Sequence, residues 1–250
     1  MKQWILGNWK MNGSCQAVSE YVQVMNQQSS AQGKIIGLSV PSVYVPHFLS
    51  HPLYQQGELP YMIGGQDCAR EQKAGPHTGE VSASMLKDVG AHFVLVGHSE
   101  RRTLGETSTD IRQKFEAALE ANLIPVLCVG ETRLHFEQGQ GKDVVRHQLL
   151  DVVSPLPPHA TWVIAYEPVW SIGTGLTPEP SYLKDMIGSI RTLLREKELS
   201  PHMFPPILYG GSVQENNIAA LQKDSEADGF LVGGASLNAE RFCALVRLLA

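Results

Sequence analysis

The chain has few cysteines and none in a useful arrangement. Cys15, Cys68, Cys128 and Cys243 are widely separated, which excludes the paired spacings of zinc sites and of thioredoxin-like motifs and fits a reducing cytoplasm. The nine histidines include no His-Glu-x-x-His or comparable spacing, so no metal is expected. Blocks of like charge are missing as well. The 20 basic and 25 acidic residues are interspersed and leave a net charge of −5, so nothing tracks a phosphodiester backbone and nucleic acid is not an expected partner. No apolar run approaches the about 18 residues of a membrane span, and the stretch from Met1 to Lys10 is too short in apolar residues for a signal peptide. A soluble, unprocessed protein with no membrane partner is expected. No proline-rich linker or shift in composition divides the chain, so one domain is expected over residues 1–250.

What is present is core material: 250 residues, 43% apolar and 18% charged, enough to bury a sizeable interior. Short apolar runs recur at Trp4–Gly7, Ile35–Val40, Met62–Gly65, Phe93–Gly97, Pro125–Gly130, Trp162–Tyr166, Ile207–Gly210 and Gly229–Gly233. Several are apolar throughout rather than alternating, as parallel strands covered on both faces are. Between them the helical period appears, with Ile111, Phe115, Leu119 and Leu123 on one stripe and Leu183, Ile187, Ile190 and Leu194 on another. Thr109 is the expected cap of the first helix, and Pro178 with Glu179 the expected opening of the second.

Eight strand-helix units match an α/β fold closed as a (β/α)₈ barrel, with an open doubly wound sheet as the competitor. The barrel is favoured because polar or glycine-rich groups follow many different strands, as they do when a site gathers at the carboxyl-end face.

The strand ends carry the chemistry. Asn8 and Lys10 follow the first strand, and in an extended segment residues two apart point to one side. A lysine there attracts an anion and stabilises charge growing on oxygen; the alternative is a surface lysine beside packed tryptophans. His98 follows Phe93-Val94-Leu95-Val96-Gly97, so its ring projects from the top of the sheet, where it can donate to a substrate oxygen. Glu100, two residues on, can orient a neighbour or join Lys10; a structural histidine with a surface charge cluster is the plainer reading. Glu167 lies between a buried strand and a loop holding Gly173 and Gly175, a layout that suits a base beneath a closing lid. Gly210-Gly211-Ser212 and Gly233-Gly234-Ala235-Ser236 follow the last two strands. Exposed amides there, with a helix starting behind them, make an anion cradle for a phosphate monoester. Tight turns without a ligand are the alternative.

Taken together, Asn8-Trp9-Lys10-Met11-Asn12-Gly13, Gly97-His98-Ser99-Glu100-Arg101-Arg102, Ala165-Tyr166-Glu167-Pro168-Val169-Trp170, Ile172-Gly173-Thr174-Gly175, Tyr209-Gly210-Gly211-Ser212 and Leu231-Val232-Gly233-Gly234-Ala235 closely resemble the triosephosphate isomerase family, essentially end to end. The resemblance implies interconversion of dihydroxyacetone phosphate and D-glyceraldehyde 3-phosphate through an enediolate, without metal or organic cofactor. It implies Glu167 as the base and His98 as a neutral electrophile, a pairing taken over from the family's established chemistry. It further implies Lys10 as the positive charge, Asn8 and Glu100 in support, and phosphate held at Gly173, Ser212, Gly233 and Gly234. The lid would run from Pro168 to Thr177 and shield the enediolate, which can otherwise lose phosphate.

The segment Gln66–Glu80 resembles the family's long third loop, which implies a homodimer with Thr78 reaching the partner subunit near its Asn8 and Lys10. Four positions depart from the family's habit: Leu176 where the lid often has lysine, Ser171 where alanine is usual, Asp67 where asparagine is common, and His77 where a larger apolar residue is frequent. Cys15 and Cys128 read as structural, since free cysteine is mostly a small buried hydrophobe. Two rivals share some of these features: another phosphate-binding barrel enzyme, and a catalytically silent barrel used as a scaffold.

Overall fold

A computed structural model describes residues 3–27, 33–56, 61–153, 160–173, 176–196 and 204–249. Eight parallel strands, β1 (Gln3–Asn8), β2 (Lys34–Ser39), β3 (Tyr61–Gly65), β4 (Phe93–Val96), β5 (Ile124–Val129), β6 (Val163–Tyr166), β7 (Ile207–Tyr209) and β8 (Gly229–Val232), pair in sequence order. β8 returns to β1, with Trp4 opposite Gly229 and Gly7 opposite Val232, so the sheet closes and the open doubly wound alternative is excluded. The connecting helices are α1 (Cys15–Asn26), α2 (Val45–Leu49), α3 (Pro52–Gln55), α4 (Ala83–Asp88), α5 (Ser99–Thr103), α6 (Ser108–Glu120), α7 (Arg133–Glu137), α8 (Gly141–Leu150), α9 (Pro180–Glu196), α10 (Ile218–Asp224) and α11 (Ala239–Leu248).

The unbroken apolar runs have a simple cause, since each strand is covered on both faces. Leu6, Phe93, Leu95, Val163, Ala165 and Leu231 pack together inside the barrel. Their sequence neighbours Ile5, Val94, Val96, Ile164, Phe230 and Val232 pack outward against the helices. Burying each such side chain contributes roughly 1.5–3 kcal/mol, so a polar residue on either face of these strands is costly.

The strands begin and end within one residue of the apolar runs, and the helix ends differ for local reasons. Thr109 does not cap α6. Thr107 does, accepting from the Asp110 N–H at 3.2 Å, while the Asp110 carboxylate accepts from the Thr107 N–H at 3.0 Å. The stripe through Ile111 and Phe115 ends before Leu123, which lies past the helix. Asn122 turns left-handed at φ 56°, and the Leu123 N–H donates back to Ala118 O at 2.9 Å, a Schellman closure that tucks the apolar residue underneath. α9 opens at Pro180, two residues later than Pro178, because proline is well placed at the first helical position and Glu179 O accepts from Tyr182 and Leu183.

Candidate active site

The carboxyl ends of β1, β4, β6, β7 and β8 surround a cavity of about 320 Å³ whose walls include Asn8, Lys10, His98, Glu167, Ser212 and Gly233. A larger groove of about 910 Å³ runs along α8 and α9. There Lys142, Lys184 and Arg146 are paired with Asp185, Glu226 and Glu196, so it lacks the convergent polar groups that mark a site.

Glu167 sits one residue past β6, 2% exposed. Its backbone is pinned: its N–H donates to Val129 O at 2.7 Å, and a Cβ on Gly130 would fall 1.7 Å from Glu167 O. Gly130 therefore exists for a close approach that no side chain tolerates. A Cβ on Gly210 would lie 2.8 Å from Glu167 Cγ, so the β7 glycine leaves room for this carboxylate. The carboxylate reaches His98 Nε2 at 3.3 Å and accepts from the Ser99 N–H at 3.4 Å.

His98 caps α5, where its Nδ1 accepts from the Glu100 N–H at 3.2 Å. A nitrogen that accepts carries no proton, so the ring is neutral and its proton is on Nε2, facing the cavity. Arg102 braces this corner, donating from Nε to Gly97 O at 2.8 Å and from Nη2 to Cys128 O at 2.9 Å. Burial and the adjacent Glu167 push the Cys128 thiol well up, so it stays protonated and inert.

Lys10 reaches the cavity by a route other than the extended one expected. Its φ is 51°, a left-handed conformation that costs about 1–3 kcal/mol for a residue with a side chain. The turn is held by Asn8 Oδ1, which accepts from the Lys10 N–H at 2.9 Å, and by Gln66 Nε2, which donates to Lys10 O at 2.8 Å. Lys10 Nζ donates to Glu100 Oε1 at 2.5 Å. Its Cε would be 3.7 Å from a Cβ on Gly233, so the ammonium group bridges the histidine side of the site and the glycine loops. Gln66 was not singled out in the sequence, and nothing in its own neighbourhood signals this contact with Lys10.

The glycine loops differ from each other. After β8 a 3₁₀ turn starts at once, over Gly234–Leu237. After β7 no helix begins until Ile218, so the Gly211-Ser212 amides stand in a loop and not at a helix start, a correction to the expected strand-to-helix junction. Gly234 has open space where a side chain would project, a Cβ on Gly233 would meet Lys10 Cε at ordinary contact distance, and Gly173 has φ 69° with nothing within 4 Å of its would-be Cβ. Ser212 Oγ donates to Ser171 O at 2.9 Å. The expected lid is described at 168–173 and 176–177; Thr174 and Gly175 lie outside the described residues.

The base of the lid is anchored by Glu131, which the sequence did not suggest. This fully buried carboxylate accepts from Trp170 Nε1 at 2.8 Å, Tyr182 OH at 3.1 Å and Tyr166 OH at 3.0 Å. Burial pushes its pKa up, and those donors act against the rise. Among the unusual residues, the Ser171 hydroxyl donates to Pro168 O at 2.9 Å, which lets a serine occupy a fully buried position. Asp67 binds Lys114 Nζ through both oxygens at 2.8 Å and Arg101 Nε at 3.0 Å, and Lys114 also contacts Glu106. The extra carboxylate is thus matched by cations. Leu176 is half exposed and His77 lies 3.9 Å from Glu71 Oε1.

Such a neutral imidazole facing a buried carboxylate, with an ammonium group and open glycine loops across the cavity, can move a proton next to an oxyanion. Fold and site together define an acid-base enzyme of the (β/α)₈-barrel class. A sequence model of the family described as triosephosphate isomerase matches residues 3–249. The chain is 41% identical over 248 residues to the triosephosphate isomerase of Hydrogenovibrio crunogenus, covering 97% of this chain and 96% of the relative. It is 40% identical over 259 residues to that of Acidiphilium cryptum, covering 100% and 99%, and 36% identical over 253 residues to that of Mycoplasma mobile, covering 98% and 99%. The chain belongs to the triosephosphate isomerase family and is an isomerase. Among the described residues no group of three His, Cys, Asp or Glu is arranged to hold a metal ion, and no helix is long and apolar enough to cross a membrane.

Proposed function

We infer that this chain interconverts dihydroxyacetone phosphate and D-glyceraldehyde 3-phosphate, with Glu167 as the base and His98 as the electrophile. Glu167 takes a proton from the carbon beside the carbonyl and returns it to the adjacent carbon. His98 donates from Nε2 to the carbonyl oxygen, stabilises the enediolate formed between the two transfers, and passes the hydroxyl proton from one oxygen to the other. Lys10 adds positive charge opposite them, held in its strained turn by Asn8 and paired with Glu100. Backbone amides at Gly173, Ser212, Gly233 and Gly234 hold the phosphate, and closure of the 168–177 lid keeps water from the intermediate.

The observation that carries this reading is the 3.3 Å approach of Glu167 Oε1 to His98 Nε2 between two nearly inaccessible side chains, with His98 Nδ1 already occupied as an acceptor. Substrate oxygen takes over the Nε2 donor, which frees the carboxylate to act on carbon. The test is His98→Asn, whose side-chain oxygen can still accept from the Glu100 N–H while the Nε2 donor is gone. Loss of one such donor costs roughly 10²–10³-fold in kcat. An unchanged kcat in the folded variant rejects the assignment.

The same reading makes residues 1–250 one domain, working as a homodimer in the cytoplasm. The arm expected at Gln66–Glu80 is closed at its base by the Ala69 N–H donating to Val81 O at 2.8 Å, and its tip around Thr78 is exposed. Met11, Val43 and Met85, on the segments after β1, β2 and β3, are 96%, 72% and 51% exposed, apolar side chains suited to contact with a second copy. The four unpaired cysteines agree with a reducing compartment.

A further inference from the structure

Asn217 occupies the N-cap position of α10 yet makes no side-chain cap bond to that helix. Asparagine at a cap normally accepts from an N–H of the first helical turn. Here the side chain is turned back onto the loop after β7. Its Oδ1 accepts from the Gln214 N–H at 2.8 Å, and its Nδ2 donates to Ser212 O at 3.0 Å and to Thr177 Oγ1 at 3.4 Å. The amide orientation is fixed by its partners, because the Gln214 N–H can only donate and Ser212 O can only accept. Thr177 is the last residue of the expected lid, and Ser212 Oγ holds the lid's first part through Ser171 O. The Ser212 loop is therefore bonded to both ends of the lid, and Asn217 makes one of the two links.

We propose that Asn217 is a positioning residue for the phosphate monoester. Its amide sets the backbone of Ser212 so that the amide can face the phosphate, and it ties that loop to the far end of the lid, so phosphate binding and closure are coupled. The inference rests on the reading that phosphate is held at Ser212. Without the side chain, Ser212 O loses its donor and the 212–217 loop is free to reorient. Phosphate then meets a cradle that it must first order, and a lid whose trailing end is no longer held to it.

The test compares wild type, Asn217→Ala and Thr177→Val, measuring kcat, KM for glyceraldehyde 3-phosphate, the inhibition constant of inorganic phosphate, the fraction of turnovers that release free phosphate, and the urea midpoint. Asn217→Ala is expected to raise KM and the phosphate inhibition constant together, roughly five- to tenfold, the effect of one or two ordinary hydrogen bonds. Thr177→Val removes only the lid link; it is expected to raise the fraction of free phosphate and to raise the phosphate inhibition constant by less than Asn217→Ala does. In the Asn217→Ala background Thr177→Val should add nothing, since the two residues share one bond. A shifted urea midpoint with KM and phosphate inhibition unchanged would mean that Asn217 serves only the helix end, and would overturn the proposal. If inorganic phosphate fails to compete with substrate on the wild-type enzyme, the phosphate reading itself falls; competition that Asn217→Ala leaves unaltered sinks the Asn217 role alone.

Discussion

Replacing Gly210 with alanine adds one methyl group at a place where the base has no room to give way harmlessly. The new Cβ would stand 2.8 Å from Glu167 Cγ and 3.4 Å from Oε1, whereas carbon atoms in contact rest about 3.5–4.0 Å apart. Something must yield by roughly 0.7 Å or more. Gly210 itself is held by its N–H to Tyr166 O at 2.8 Å, and Glu167 by its own N–H to Val129 O at 2.7 Å. The Gly130 backbone lies against the Glu167 carbonyl, so close that a Cβ there would fall 1.7 Å from Glu167 O, which limits retreat of the Glu167 backbone. The displacement therefore falls on the Glu167 side chain. A misplacement of about 1 Å at a reacting group costs on the order of 10²-fold, or about 2.7 kcal/mol in the barrier. Overpacking of a single methyl costs about 1–3 kcal/mol of stability, so the variant should fold. Steady-state assays with glyceraldehyde 3-phosphate are expected to show kcat reduced about 100-fold with KM little altered. Adding Glu167→Gln should then cost less than it does in wild type, because the two changes damage one group. A Gly210→Ala enzyme within threefold of wild type would refute the reasoning.

Two further outcomes follow from local geometry. The Thr107 hydroxyl, then the Thr107 N–H, pull the Asp110 carboxyl down from its ordinary 3.8 to about 2, so the stability it contributes is full above pH 3.8 and is lost as pH falls through about 2. Because the group is in partial contact with solvent, Asp110→Ala should cost only about 1 kcal/mol at pH 7, and urea unfolding should show that difference shrinking toward pH 2; a constant difference would exclude the capping box as its source. On the proposed homodimer, Met85→Glu places a charge at an exposed apolar position, and sedimentation should show a lower dimer fraction than wild type at the same concentration; an equal dimer fraction would remove Met85 from the interface.

Much of the barrel is legible in sequence because its strands are apolar on both faces, so β4, β6 and β8 stand out as unbroken runs such as Phe93–Val96. Glu167, His98 and Lys10 are legible because each lies just past such a run. What stays hidden depends on distance in the chain. Gly210 reads as a phosphate-loop glycine, and only the fold shows that it also clears space for a carboxylate 43 residues earlier in the chain. Gln66 meets the Lys10 carbonyl across 56 residues, and Glu131 gathers donors from Tyr166, Trp170 and Tyr182; none of these has a local pattern. The Thr107 cap was missed by two residues because Thr107, Ser108 and Thr109 are all plausible caps, and only the reciprocal bond with Asp110 selects among them. Lys10 faces the cavity despite, not because of, the extended geometry expected, since its left-handed turn depends on Asn8 and Gln66.

The central claim is that one carboxylate, Glu167, carries the proton between adjacent carbons. Its most direct test is steady-state turnover of glyceraldehyde 3-phosphate by Glu167→Gln, a neutral side chain of the same shape, with folding verified by urea unfolding. A kcat lowered by roughly 10²–10⁴-fold, with KM little changed, is the predicted result. Turnover near the wild-type rate would contradict it and require a different base.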